Sequence, residues 1–118
     1  MGKVISGMAQ GVDLIWAITA IKIGIPFIAA VPFSGQEKIW PKKSQDLYNR
    51  IIAKASEVVF VSEPGPAAWK YQVRNKWMVD RSDILVAVWD GSSGGTENCY
   101  RYAESIDKPI HRIMPGRI

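Results

Sequence analysis

Gly94, Gly95 and Thr96 follow an apolar run, Ile84–Trp89, through a small-residue turn, Asp90–Gly95, that leads into a helix starting at Thr96. Glycine lets main-chain N–H groups approach an anion closely, and the positive end of a helix dipole would then face it. The chemistry this suits is phosphate or nucleotide binding. A second such turn is Ser6-Gly7-Met8-Ala9-Gln10-Gly11-Val12-Asp13. Gly7 and Gly11 permit tight turning at a helix mouth, and Ser6 offers a hydroxyl. Asp13, in the first helical turn, either caps backbone amides or binds a ribose hydroxyl. Arg74 lies beside Asn75 and four residues after Lys70, in a basic and aromatic stretch. Four residues apart is one helical face, which either pairs with phosphate oxygens or is simply solvated. A third loop holds Ser34, Gly35, Gln36, Glu37 and Trp40, and is either functional or a mobile surface connection.

Strands and helices in alternation must position these loops. Lys3–Ile5 reads as a short strand, and Gln10–Ile23 as a helix apolar on nearly every face, packed between neighbours. Gly24 stops that helix, and Pro26–Val31 is a buried strand. After the long connection Pro32–Trp40, Pro41 begins a helix that puts Leu47, Ile51, Ile52 and Ala55 on one face. Glu57–Val61 is the third strand and Ala67–Arg81 the third helix. The run Ile84–Trp89 reads as a strand buried on both faces, followed by the helix Thr96–Ser105 and the strand Ile110–Met114. Each crossover is long enough for a right-handed parallel unit. The expected fold is α/β: one domain over residues 1–118, with an open, Rossmann-like, mainly parallel sheet of about five strands flanked by helices. The loops after the strands then open on one edge, where such sheets take their ligands.

Composition narrows the functions. With 118 residues, 47% hydrophobic and 22% charged, the chain has the make-up of one ordinary globular domain. A net charge of +4 suits an anionic ligand, but only Lys42 and Lys43 are adjacent, so there is no basic stripe for nucleic acid. One cysteine, Cys99, and one histidine, His111, rule out a disulfide framework, a CxxC metal site and a histidine-cluster metal site. His111 sits in an alternating run, PIHRI, and reads as a strand side chain. No metal and no cofactor is expected. Asp13, Lys22, Gly24 and Pro26 interrupt the apolar stretch Val12–Phe33, so no membrane span is expected and a reducing, cytoplasmic setting is the natural reading.

Together these motifs resemble the SLOG superfamily, the Rossmann-like group that includes the Lonely Guy phosphoribohydrolases, the DNA-processing protein A fold and the YpsA-like proteins. SGMAQGVD (Ser6–Asp13) is similar to the SGxAxGxD signature shared by the last two. RNKWMVDRSDILVAVWDGSSGGT (Arg74–Thr96) resembles the YpsA-like order of RN, M, SD, G and GGT. The resemblance spans almost the whole chain and is nearest to small YpsA-like proteins, including those of phages. It implies a nucleotide-derived ligand across the strand ends. Ser6, Gly7, Gly11 and Asp13 would line one side, Arg74 and Asn75 would reach in from the third helix, and Gly94, Gly95 and Thr96 would cradle a phosphate. Met8 and Asp90, within the two turns, complete the expected binding set.

Two departures from the family pattern bear on catalysis and assembly. The Lonely Guy motif PGGxGTxxE ends in a glutamate at the third position after threonine, where this chain has Cys99. Its acidic residue, Glu97, directly follows Thr96 and on a helix points elsewhere. N-glycosidic cleavage needs a well-placed carboxylate, and Glu97 and Glu37 are the candidates. Family members usually have another strand before the SGxAxGxD unit, whereas this chain starts inside it; an exposed sheet edge and a homo-oligomer are expected. The leading expectation is a sensor or sequestering protein for a nucleotide-derived small molecule. The alternatives are a nucleoside-monophosphate N-glycosidase and single-stranded DNA binding.

Overall fold

The structure, a computed structural model, describes residues 3–9, 12–88, 91 and 93–113. Its first strand, β1 (Val4–Ser6), leads to helix α1 (Val12–Ile23) and back to strand β2 (Phe27–Val31). Gln36–Ile39 forms one 3₁₀ turn before helix α2 (Lys42–Ile52) and strand β3 (Glu57–Phe60). Helix α3 (Ala68–Asp80), strand β4 (Leu85–Val88), helix α4 (Gly95–Ser105) and strand β5 (Ile110–Ile113) complete the alternation. Every pairing is parallel: β1 with β2, β2 with β3, and β4 with β5. The five strands and four helices expected from the sequence are all present. The ends expected at Gln10, Trp89 and Met114 lie outside the described residues.

One difference concerns continuity of the sheet. Among the described residues the ladder runs β1-β2-β3 in one sheet and β4-β5 in another. β1 has only three residues and makes its ladder with β2. Helix α3 packs on both β2 and α4, so it joins the two halves where backbone hydrogen bonds do not.

The main core lies where α1 meets β2. Leu14, Ala17 and Ala20 of α1 meet Phe27, Ala29 and Val31 of β2, with Met8, Tyr48 and Ile51 around them. Alanine at these contacts lets helix and sheet backbones approach closely, and burial of the larger side chains supplies the driving force. A smaller cluster of Val79, Cys99 and Ala103 holds α3 to α4. Gly24 ends α1 at φ 76°, while the Ile25 N–H returns to the Ala20 carbonyl at 2.9 Å, a Schellman closure.

Two burial expectations are corrected. Helix α1 is not enclosed on every face, since Ile15 and Ile23 are exposed. Strand β4 is not buried on both faces either, since Leu85 and Val86, which point to opposite faces, are both half-buried. Pro41 occupies the cap of α2 rather than its first turn. No helix among the described residues is long and apolar enough to cross a membrane.

Candidate functional site

Parallel pairing puts the carboxyl ends of β1, β2 and β3 on one edge, and the turn after β1 is built there from its own polar groups. The Ser6 hydroxyl donates to the Asp13 carbonyl at 2.8 Å and accepts the Met8 N–H at 3.2 Å. The Ala9 N–H donates to the Asp13 carboxylate at 3.3 Å, so Asp13 does act on backbone amides. Met8 has a φ of 59°, a left-handed conformation that costs a non-glycine residue about 1–3 kcal/mol. Two contacts hold it there. Its side chain is fully buried in the core, and its carbonyl accepts a hydrogen bond from the Gln36 amide at 3.1 Å.

Gln36, in the third loop, has a structural role that its sequence context does not specify. It is buried and ties the third loop to the first. It also bonds the Tyr48 phenol, which burial and the Glu37 carboxylate push up to about 12 against that hydrogen bond. The local signal for Gln36 was slight: a single amide after a glycine, Gly35, that adopts φ 88°.

Arg74 is the centre of the arrangement. It is 5% exposed, so it is neither a solvated charge nor a side chain extended into the open. Its Nη1 donates to the Gly7 carbonyl and to the Ala30 carbonyl at 3.4 Å. Its Nε donates to Asn75 Oδ1 at 2.9 Å, and the Asn75 amide in turn donates to the Gly95 carbonyl at 3.4 Å. The Arg74-Asn75 pair thus links the turn after β1 to the start of α4. Lys70, expected on the same basic face, is also buried; its ammonium donates to the carbonyls of Glu63, Pro64 and Gly65.

Electrostatics agree with this convergence. Burial holds the Asp13 carboxyl above the usual aspartate range, although Arg74 and the Ala9 N–H pull it down. Burial pushes the Cys99 thiol up to about 11, with Arg74 opposing and Asp13 adding to the rise. Burial in apolar surroundings thus disfavours the thiolate form. Glu97 lies in the first turn of α4 and Glu37 in the 3₁₀ turn before α2.

Gly7 is dictated by this packing. A Cβ there would lie 2.7 Å from Asp13 Oδ2 and 2.8 Å from Arg74 Nη1. Gly7→Ala is expected to cost about 1–3 kcal/mol by overpacking, read as a lower urea midpoint. An unchanged midpoint would mean that the pair moves aside freely.

The start of α4 is open by contrast. Gly94 caps it at φ 141° and ψ −162°, a conformation essentially restricted to glycine, without a side-chain cap hydrogen bond. Gly94, Gly95 and Thr96 are exposed, and a Cβ on either glycine would meet nothing within 4 Å. The first N–H groups of a helix have no partner within it, so this end presents donors to an anion. Gly11 and Asp90 lie outside the described residues. Among the described residues no cluster of potential metal ligands occurs.

A sequence profile of the family described as DNA recombination-mediator protein A matches residues 2–118. The chain belongs to this family. Its relatives include the SPbeta prophage-derived protein YoqJ of Bacillus subtilis (strain 168), 37% identical across 96% of this chain and 77% of that protein. A UPF0398 protein of Lysinibacillus sphaericus (strain C3-41) is 27% identical over 79% of this chain and 55% of its own length. In fold the family member DNA processing protein A of Streptococcus pneumoniae matches with a TM-score of 0.76 at 22% identity. That match covers 98% of this chain but 41% of that structure, and the likeness concerns the fold. A candidate molybdenum carrier protein from Syntrophus aciditrophicus SB matches with a TM-score of 0.67 at 25% identity, over 100% of this chain and 66% of that one. These relatives fit the SLOG superfamily and its YpsA-like, phage-associated branch.

Proposed function

We propose that residues 1–118 act as one binding domain for a phosphate-bearing, nucleotide-derived small molecule, held at the strand ends without turnover. The observation that carries this reading is the open start of α4 at Gly94–Gly95, tied through Asn75 and Arg74 to the turn after β1. The phosphate sits against the α4 N–H groups, where the helix dipole favours negative charge. The buried Arg74–Asp13 network fixes the opposing wall, so little ordering remains to be done when the ligand arrives.

What stands near that end supports binding without cleavage. Cleaving an N-glycosidic bond needs a carboxylate at the developing oxocarbenium-like centre. The buried side chain two positions beyond Glu97 is the thiol of Cys99, not a carboxylate. Asp13 accepts from Ala9 and faces Arg74 across Gly7. The family description names DNA, and single-stranded DNA is the second reading, which the net charge of +4 favours. Two basic side chains of α3 that could have tracked a strand, Lys70 and Arg74, are instead bonded to main-chain carbonyls.

Incubation of the pure protein with a panel of nucleoside mono- and diphosphates, followed by thermal shift and mass spectrometry, tests this. A true ligand at a hundred times its Kd adds about 2.7 kcal/mol of stability and is recovered unchanged. Release of free base or ribose phosphate would overturn the reading. So would binding of single-stranded DNA alone, with the steep salt dependence of phosphate-backbone contacts.

A further inference from the structure

A cleft of about 500 Å³ opens at the carboxyl end of β3, lined by Phe60, Val61, Ser62, Glu63, Trp69 and Lys70. We propose that it receives the planar base of the nucleotide, stacked on Trp69 and Phe60; this rests on the phosphate site proposed above. Large aromatic side chains are normally buried by more than half, yet Trp69 is 61% exposed and Phe60 53% exposed, and both line this one cleft. A base offers a flat π-face to such rings whatever its identity. The volume falls in the range of small-molecule sites.

The cleft is built in advance. The Lys70 ammonium reaches the Glu63 carbonyl at 2.8 Å, the Pro64 carbonyl at 3.3 Å and the Gly65 carbonyl at 2.7 Å, which fixes the loop that forms one wall. The same ammonium lies 5.5 Å from the Trp69 ring centroid and 5.7 Å from that of Phe33, so it also orients the indole. Ser62 and Glu63 are polar residues of the lining, of a type that can accept from the exocyclic amino group of a base.

Topology puts the cleft at the right end of the molecule. β1, β2 and β3 run parallel in one sheet, so the cleft at the β3 end opens on the same edge as the turn after β1, which the Arg74–Asn75 pair ties to the start of α4.

The test compares adenosine 5′-monophosphate with ribose 5-phosphate, which has the phosphate but no base, by calorimetry on the whole chain. Trp69→Ala and Phe60→Ala are each expected to weaken the nucleotide about ten-fold or more and to leave ribose 5-phosphate unchanged. Equal losses for both ligands, or no loss for the nucleotide, would overturn the proposal. So would a change from dimer to monomer in Trp69→Ala with nucleotide affinity intact, since the rings would then be an interface. If the native protein binds neither phosphate ligand, the phosphate site is the part that fails. Adenosine then tests the cleft alone: binding that Trp69→Ala abolishes supports it, and absence of binding overturns it.

Discussion

Arg74→Ala is expected to lower stability by about 3–5 kcal/mol, the range for removing one partner of a buried charge arrangement. The loss has three sources in the structure. The Gly7 and Ala30 carbonyls lose a donor, Asn75 loses the bond that orients it toward Gly95, and Asp13 loses the charge that opposes its burial. The last source makes the effect depend on pH. The Asp13 carboxyl already sits above the ordinary aspartate value, so folded protein holds its proton when unfolded chain has released it. Stability therefore falls as pH rises through that window, and nothing is lost below it, where both states are protonated. Removing Arg74 lifts the Asp13 carboxyl further and extends the window upward. Urea midpoints should thus separate variant from native protein least in acid, where both folded forms hold the Asp13 proton, and most on the alkaline side of the native window. Adding Asp13→Asn to Arg74→Ala should recover part of the deficit on that alkaline side. A deficit that is flat in pH would mean that Asp13 does not feel Arg74.

Gly95→Asp separates binding from folding, which Arg74→Ala cannot do. Gly95 has no left-handed backbone requirement, and a Cβ there meets nothing within 4 Å. An aspartate in the first turn of α4 also complements the helix dipole, which favours the fold by about 0.3–1 kcal/mol. Stability should be unchanged or slightly higher. The same carboxylate would face a bound phosphate at close range, where like charges a few ångströms apart cost about 4 kcal/mol near a protein surface. Affinity for a nucleoside monophosphate should drop about a hundred-fold or more by calorimetry. Full affinity in a stable Gly95→Asp protein would remove the start of α4 from the site.

The alternation of elements was legible because its signals are local. Gly24 and Pro26 punctuate α1 and β2, and the α2 face of Leu47, Ile51 and Ile52 follows helical spacing. Burial was less legible because it depends on neighbours. Ile15 and Ile84 belong to apolar runs that look like core, yet each lies on a side that no described element covers. The site divides in the same way. Gly7 and Gly94 announce themselves as residues the backbone or its surroundings require. The destinations of Arg74 and Lys70 do not, because a basic residue on a helix reads alike whether it meets solvent, phosphate or a carbonyl. Here both meet carbonyls: Arg74 those of Gly7 and Ala30, distant in sequence, and Lys70 those of the loop just before α3. Gln36 was hidden for a related reason, since its partner Met8 lies 28 residues away.

The central claim is that a phosphate-bearing nucleotide is held between the start of α4 and the turn after β1. Titration of the ¹⁵N-labelled protein with a nucleoside monophosphate, followed by amide chemical shifts, tests it most directly. The amides of Gly95, Thr96 and Glu97 should move furthest, those of Gly7 and Ala9 should follow, and the ligand should remain intact throughout. Saturable shifts confined to other parts of the chain, with these amides unmoved, would contradict it.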